Sequence, residues 1–480
     1  MTSLHELTVA PAPQAPPTPP PSSSRAVHSQ GRALTVALLG FPVFWVCGLG
    51  EFVWMIMAVP MAYRLWARPK RIRVPPFFGL WLAFLVWVIA GGLMIGEQLP
   101  GTLTTSGGFI GWGIRVANLL AATVVLLYVG NLSEDELPAR KVIRMLGVLF
   151  CVTVAGGVLG ILFGNVSFTS PFEMVLPHGI RANYYVHQLI HPGFAQVQDI
   201  LGKTSPRPKA PFAYTNNWGN NLALLMIWFV VAGWVRGTRR ARFWTAVVLV
   251  IAAIPIIYSV NRGMWIGLGI SLLFVAFQLA SRGRMNLLAG IAGVATIAAL
   301  LVTVTPLRSI VDARLSHGQS NAIRGNLNGA AFDAAVRSPI VGWGTTRSVL
   351  GSPTSIAIGK TSSCQTCGNA PIGSTGELWT LLIANGFVGA GLYFGFILLV
   401  AWRYRRNRTP EAVAARLILY LAPFYAIFYS AVPTALVITF ISMALLWRTD
   451  RRVNAPPLAV LTAPDVIVLP PDPPAVIVLP

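Results

Sequence analysis

Cations at positions where a chain has no ordinary use for them are the residues of this sequence most able to do chemistry. The run RPKAPFAYTNNWGNNLAL places Arg207 and Lys209 just ahead of an apolar stretch whose start is marked by Asn216, Asn217 and Gly219. A helix start offers unpaired N–H groups and a positive dipole end, so cations beside it favour a bound anion there. A capped helix with interfacial cations fits the same residues, and both readings stay open. In YSVNRGMWIGLG, Asn261, Arg262 and Gly263 form nearly the whole connection between two apolar runs. A guanidinium at that boundary must pair with an anion, a carbonyl or a headgroup phosphate, and the glycine lets backbone or substrate come close. Plain phospholipid anchoring is the alternative. The third piece is IRGNLNGAAFDAAVRSPIVGWGTTRS. Its spacing predicts a short helix on which Arg324, Asn328 and Ala331 or Phe332 share a face, with Arg337 near its end and Pro339, Gly342 and Gly344 making a turn. A surface helix that ties a loop down explains it equally well.

These residues are carried by a very apolar chain. Of its 480 residues 55% are hydrophobic and 11% charged, where a soluble protein carries about 25% charged, and a water-soluble fold is excluded. About twelve apolar segments approach the length of a membrane crossing: near 33–48, 51–66, 77–96, 112–130, 143–163, 219–235, 243–260, 264–280, 286–305, 378–401, 417–432 and 433–447. The expectation is an all-α polytopic membrane protein of about twelve transmembrane helices with a large, partly helical extracytoplasmic loop. The first two and last two segments are short, so each pair is either two crossings or one bent hairpin. Residues 1–32 and 448–480 are proline-rich, the latter with VIVLP written twice, and are expected to be disordered tails flanking a membrane domain at 33–447.

The net charge is +21. Most Lys and Arg fall in alternate short connections, among them Arg68, Lys70, Arg71 and Arg73, then Arg236, Arg239 and Arg240, then Arg403, Arg405 and Arg406. The positive-inside rule then puts both termini in the cytoplasm of a multi-pass protein of the cytoplasmic membrane. Basicity of this origin names no nucleic-acid partner; membrane lipids are the surroundings it implies. The remaining cations cluster in or beside two outer loops, 164–218 and 306–377, where function tends to collect. Cys364 and Cys367 form a CxxC in the larger loop, read as a local disulfide with free thiols as the alternative. The external His178, His187, His191 and His317 have no HExxH-like spacing and read as surface or packing residues, so no metal site is expected.

Taken in order, these pieces resemble the O-antigen ligase and polymerase family of bacterial membrane glycosyltransferases, over roughly residues 200–400. Arg207 before PFAYTNNWGNN is similar to the family's arginine, phenylalanine, asparagine and glycine pattern; NRGMWIGL resembles its serine–arginine–glycine turn; Arg324 with SPIVGWG resembles its outer loop; IGSTGELWTLLIANGFVGAGLYF resembles its re-entry into the membrane. The resemblance implies transfer of a glycan from a polyprenyl-diphosphate-linked donor to the hydroxyl of a glycan or glycolipid acceptor, at the outer face and with no metal or other cofactor. Arg207 and Arg262 would clamp the diphosphate as catalytic groups, with Arg324, Arg337, Lys209, Asn217 and Thr375 contributing to substrate binding. Family ligases carry a histidine shortly before the re-entry helix. The matching position here is Thr375, which implies a subgroup with another acceptor or catalytic arrangement; Glu377 beside it is the candidate base for the acceptor hydroxyl. Ligase and polymerase branches share these arginines. Two other classes stay open: a transporter or flippase of lipid-linked saccharides, which should carry charged residues inside its helices and an inverted repeat, and a non-catalytic partner in envelope assembly.

Overall fold

The structure is a computed structural model that describes residues 31–68, 71–102, 108–182, 184–199, 204–290, 292–293, 296, 319–348 and 371–453. The expected Cys364–Cys367 disulfide, His317, most of segment 286–305 and most of both proline-rich tails lie outside the described residues. In chain order the elements are α1 (Arg32–Leu39), α2 (Phe41–Val46), α3 (Val53–Trp66), α4 (Phe78–Ala90), α5 (Gly108–Asn131) and α6 (Ala139–Leu162). Three short helices follow, α7 (Pro171–Val175), α8 (His178–Arg181) and α9 (Tyr184–Ile190), and then an antiparallel ribbon of β1 (Ala195–Asp199) and β2 (Thr204–Pro208). The rest is α10 (Thr215–Val230), α11 (Arg239–Tyr258), α12 (Arg262–Ala280), α13 (Gln319–Arg337), α14 (Glu377–Arg403), α15 (Pro410–Ala426) and α16 (Thr434–Val453).

Among the described residues, six helices are long and apolar enough to cross a bilayer: α5, α6, α10 with its π-helical extension to Val235, α11, α12 and α14. The shorter segments explain the difference from about twelve. Segment 33–48 breaks at Gly40, where Pro42 opens a new helix. The 14 residues of α3 span about 21 Å, short of the roughly 30 Å of a hydrocarbon core. At the other end α16 continues beyond residue 447 to Val453, where a tail from 448 was expected. Arg448 is buried there because Nη2 donates to Glu134 Oε2 and to the Leu137 carbonyl, both at 2.7 Å.

Helix α16 is apolar on every face and is the core: Val437, Ile438, Phe440, Ile441, Met443 and Leu446 are all buried, enclosed by α5, α10 and α15. A helix apolar all round can only be stable if it is surrounded. The opposite holds for α11 and α12, whose Val250, Ile254, Ile266, Leu273 and Phe277 face away from the protein, as side chains against lipid do.

Polar contacts separate the bundle into two ends. At one, Arg68 bonds Glu136, Arg140 reaches the Arg236 carbonyl, Arg236 pairs with Glu411, and Arg282 reaches the Arg408 carbonyl. The other end carries the described parts of the long segments 164–218 and 306–377. There α14 is broken at Gly386 (φ 66°, ψ −172°), a conformation essentially restricted to glycine. The turn after α13 fills the break: Trp343 N–H donates to the Ile383 carbonyl at 2.7 Å, Gly344 N–H to Ala384 at 2.9 Å, and Phe387 N–H to Pro339 at 2.8 Å. Arg347, almost fully buried, donates to the carbonyls of Met94, Ile95, Glu97 and Trp343. The SPIVGWG sequence therefore plugs the break in α14. A break in so apolar a helix is tolerated because the backbone groups that it frees are satisfied by protein.

Candidate functional site

The site is built from three helix ends and one ribbon. Arg207 lies on β2, opposite Gln196, and is buried. Its Nε donates to the Ser259 carbonyl at 2.7 Å, which sits just past the C-terminus of α11, where a cation is favoured by the helix dipole. Ser259 opens the tight turn to α12. Within it Val260 holds φ 52°, a left-handed conformation that a β-branched residue adopts only under strain of about 1–3 kcal/mol. Asn261 precedes Arg262, the first residue of α12.

Tyr429, from the connection between α15 and α16, closes the group. Its hydroxyl donates to Asn261 Oδ1, and its carbonyl accepts the Glu377 N–H at 2.8 Å. Gly263 is what admits it: a methyl group there would stand 2.5 Å from the Tyr429 hydroxyl. So the glycine after Arg262 does serve a close approach, and the group that approaches is a tyrosine. The charges of Arg324 and Arg207 both bear on Tyr429, and that of Arg262 bears on Arg324. Burial pulls the Arg324 guanidinium below its usual range, the Tyr429 hydroxyl opposes that shift, and the neighbouring Arg262 adds to it. Arg207 and Arg324 thus act on Tyr429, and Arg262, next to Asn261 in the turn, acts on Arg324. Helix α13 is held in place by its inner face, on which Leu327, Ala331 and Ala334 are buried against Ile372 and Ile383. Asn328 Oδ1 accepts the Thr375 hydroxyl on the same face. Of the two alternatives for that face, Ala331 is inside and Phe332 is exposed.

The other expected residues are placed differently. Arg337 ends α13 on its exposed side. Lys209 is buried, which pulls its ammonium pKa down, and its charge bears on His187. Glu377 is fully buried and committed: Oε1 pairs with Arg115 at 2.6 Å, and Oε2 accepts the Ala431 N–H at 3.1 Å. Its Oε2 and its own N–H both hold the Tyr429 connection. Sequence reasoning did not find Tyr429, Asn261 as its partner, or Arg115 as the counter-ion, because each pairing joins distant segments.

Asn217 lines a small cavity with Glu51, Phe212, Asn221, Ser430 and Thr434. Asn221 is buried, and its Oδ1 has no hydrogen-bond partner among the described residues. Glu51, in the turn between α2 and α3, is buried and accepts the Ala213 N–H at 3.2 Å. Desolvation pushes its carboxyl up to about 7, the Ala213 bond opposing it only in part. A carboxyl raised on folding stabilises the protein fully below its unfolded pKa of 4.5, and that contribution is lost as pH rises through about 7. Glu51→Gln removes the penalty. Its stability advantage over the native chain, read as thermal midpoint in detergent, is expected to grow by roughly 2–3 kcal/mol between about pH 5 and pH 8. A pH-independent difference would show that Glu51 is not protonated on folding.

Compared with known protein families, with characterised proteins and with solved structures, the chain returns no match.

Proposed function

We propose that this chain is a glycosyltransferase of the cytoplasmic membrane, of the O-antigen ligase or polymerase kind, that moves a glycan from a polyprenyl diphosphate carrier to an acceptor hydroxyl at the outer face. Its chain would cross about twelve times, with both termini in the cytoplasm, as the charge distribution suggests. The observation that carries this reading is the bond from Arg207 to the turn that carries Asn261 and Arg262, with the charges of Arg207 and Arg324 acting on Tyr429 and that of Arg262 acting on Arg324, at the end of the bundle away from the Arg68, Arg236 and Arg282 contacts.

The chemistry follows from the leaving group. As the acceptor oxygen attacks the anomeric carbon, the bond from that carbon to the diphosphate oxygen breaks, and both bonding electrons stay with the diphosphate. Fixed guanidiniums in a site of low dielectric stabilise the charge that develops there. The acceptor proton leaves to a base. Glu377, whose two oxygens are taken by Arg115 and Ala431, is better suited to positioning Tyr429 than to receiving that proton. The transporter alternative draws support from the broken helix α14, since discontinuous helices build transport sites. Here, however, the carbonyls at the break are occupied by Trp343 and Gly344.

The test uses proteoliposomes with purified lipid-linked donor. Arg207→Ala and Arg262→Lys are each expected to leave the protein inserted and folded while lowering the transfer rate by about 10²–10³, the effect of removing one preorganised donor; lysine lacks the planar fork that two phosphate oxygens need. Transfer at the native rate in both variants would remove the clamp. Movement of the intact donor across the bilayer, with no product formed by the native protein, would favour transport.

A further inference from the structure

The short helices of the first outer loop bring together three side chains that the transfer reaction does not use. Glu173, on α7, is buried, and its N–H is capped by the Ser170 hydroxyl at 3.1 Å. His187 lies in the last turn of α9, and His191 follows one residue after it ends, still in helical register because its N–H bonds the His187 carbonyl at 2.9 Å. That spacing stacks the two imidazoles, with centroids 4.5 Å apart and planes 18° from parallel. Both turn a ring nitrogen to the same carboxylate: His187 Nε2 stands 3.5 Å from Glu173 Oε1, and His191 Nδ1 stands 2.8 Å from Oε2. The three ligand atoms lie within 4.8 Å of one another.

We propose that Glu173, His187 and His191 form a binding site for a divalent transition-metal ion of the zinc class, which staples α7 to α9. Ligand atoms about 2.1 Å from a tetrahedral zinc stand roughly 3.4 Å from one another. The two carboxylate–imidazole separations bracket that value and the third ligand pair lies within 4.8 Å, so occupancy asks that the stacked rings turn until both lone pairs meet one ion. Two imidazoles with one carboxylate select zinc or its first-row neighbours over magnesium and calcium, which prefer all-oxygen sites. The outer partner is present as well: His191 Nε2 lies 3.2 Å from the Ser167 hydroxyl. An Nε2–H donated to that oxygen leaves the Nδ1 lone pair aimed at the ion, the usual arrangement around a metal-bound histidine. Burial, with the charges of His191 and Lys209, holds His187 below its usual range, and Glu173 opposes them. Lys209 is a cation that acts against the ion, and burial pulls its own ammonium pKa down.

The staple has a mechanical consequence. Ser167 and Gly193 form a bridge directly beside the site, and the Phe194 carbonyl accepts the N–H groups of Lys209 and Ala210. Two residues on, Gln196 pairs with Arg207. The ion would fix the root of the ribbon that presents Arg207, a structural role independent of the reaction proposed above.

The full-length chain, purified in detergent through a tag without histidine and stripped with chelator, is titrated with zinc. One zinc per chain is expected after dialysis, with a rise in thermal midpoint. His187→Ala and Glu173→Gln should each weaken binding by about 100-fold or more, since loss even of an outer-sphere partner costs about 10–100-fold; the exposed neighbour His178→Ala should bind as the native chain does. Substitution by cobalt in the native chain provides a reading that does not depend on folded variants: intense tetrahedral d–d bands support the site, and weak octahedral bands overturn it. Absence of stoichiometric zinc, or equal retention by His187→Ala and Glu173→Gln, also overturns it.

Discussion

Arg115→Ala is expected to destabilise the protein by about 3–5 kcal/mol, the usual effect of removing one partner from a buried ion pair. Glu377 has no exposed surface and Arg115 is 14% exposed, so neither water nor another cation replaces the guanidinium. The carboxylate would remain with only the Ala431 N–H. The companion variant distinguishes a charge effect from lost packing: Arg115→Ala combined with Glu377→Gln should recover a large part of the loss, because no uncompensated charge is then buried. Thermal midpoints in one detergent, followed by size-exclusion profile, give the comparison. A double variant no more stable than Arg115→Ala alone would show that the pair matters through shape. Because Glu377 holds Tyr429 and Ala431, loss of Arg115 should also lower the proposed transfer activity in whatever protein remains folded.

Gly386→Ala should be at least as damaging. The glycine sits at φ 66° and ψ −172°, and an added methyl group would meet the Ile340 and Pro339 carbonyl oxygens, both at 2.6 Å. Those are backbone atoms and cannot rotate aside. The conformation alone costs an alanine about 1–3 kcal/mol. Displacing the turn would break three hydrogen bonds, from Trp343, Gly344 and Phe387, each worth about 1 kcal/mol. A total near 4 kcal/mol or more is expected, visible as a collapse of folded yield and thermal midpoint. Gly391→Ala, in the same helix with open space around it, should be close to neutral. If Gly386→Ala matched it, the plug would not be part of the stable fold.

What was legible in the sequence follows physical range. Apolar runs announce helices because burial in lipid or core needs an apolar surface, and six of them are present as candidate spans among the described residues. Arg262 and Gly263 were legible because a three-residue connection leaves a cation nowhere else to go. The break at Gly386 was not, since hydropathy carries no information on the sign of φ. Tyr429 and Arg115 were hidden for another reason: their partners Asn261 and Glu377 lie 168 and 262 residues away, and pairing at that distance is a property of the assembled bundle. His187 and His191 had the spacing of successive helical turns in plain view. Their acidic partner came from a different short helix, which no local pattern connects to them.

The plugged break in α14 also decides how the segment that fills it can be handled. Residues 339–344 complete hydrogen bonds that would otherwise end in hydrocarbon, so 319–348 is a structural portion of the span itself. Expressed alone as a secreted fragment, it would lose the surface that shapes it, and antibodies raised to such a peptide should fail to recognise the native protein. Excising it to obtain a minimal bundle should yield an insertion-defective chain.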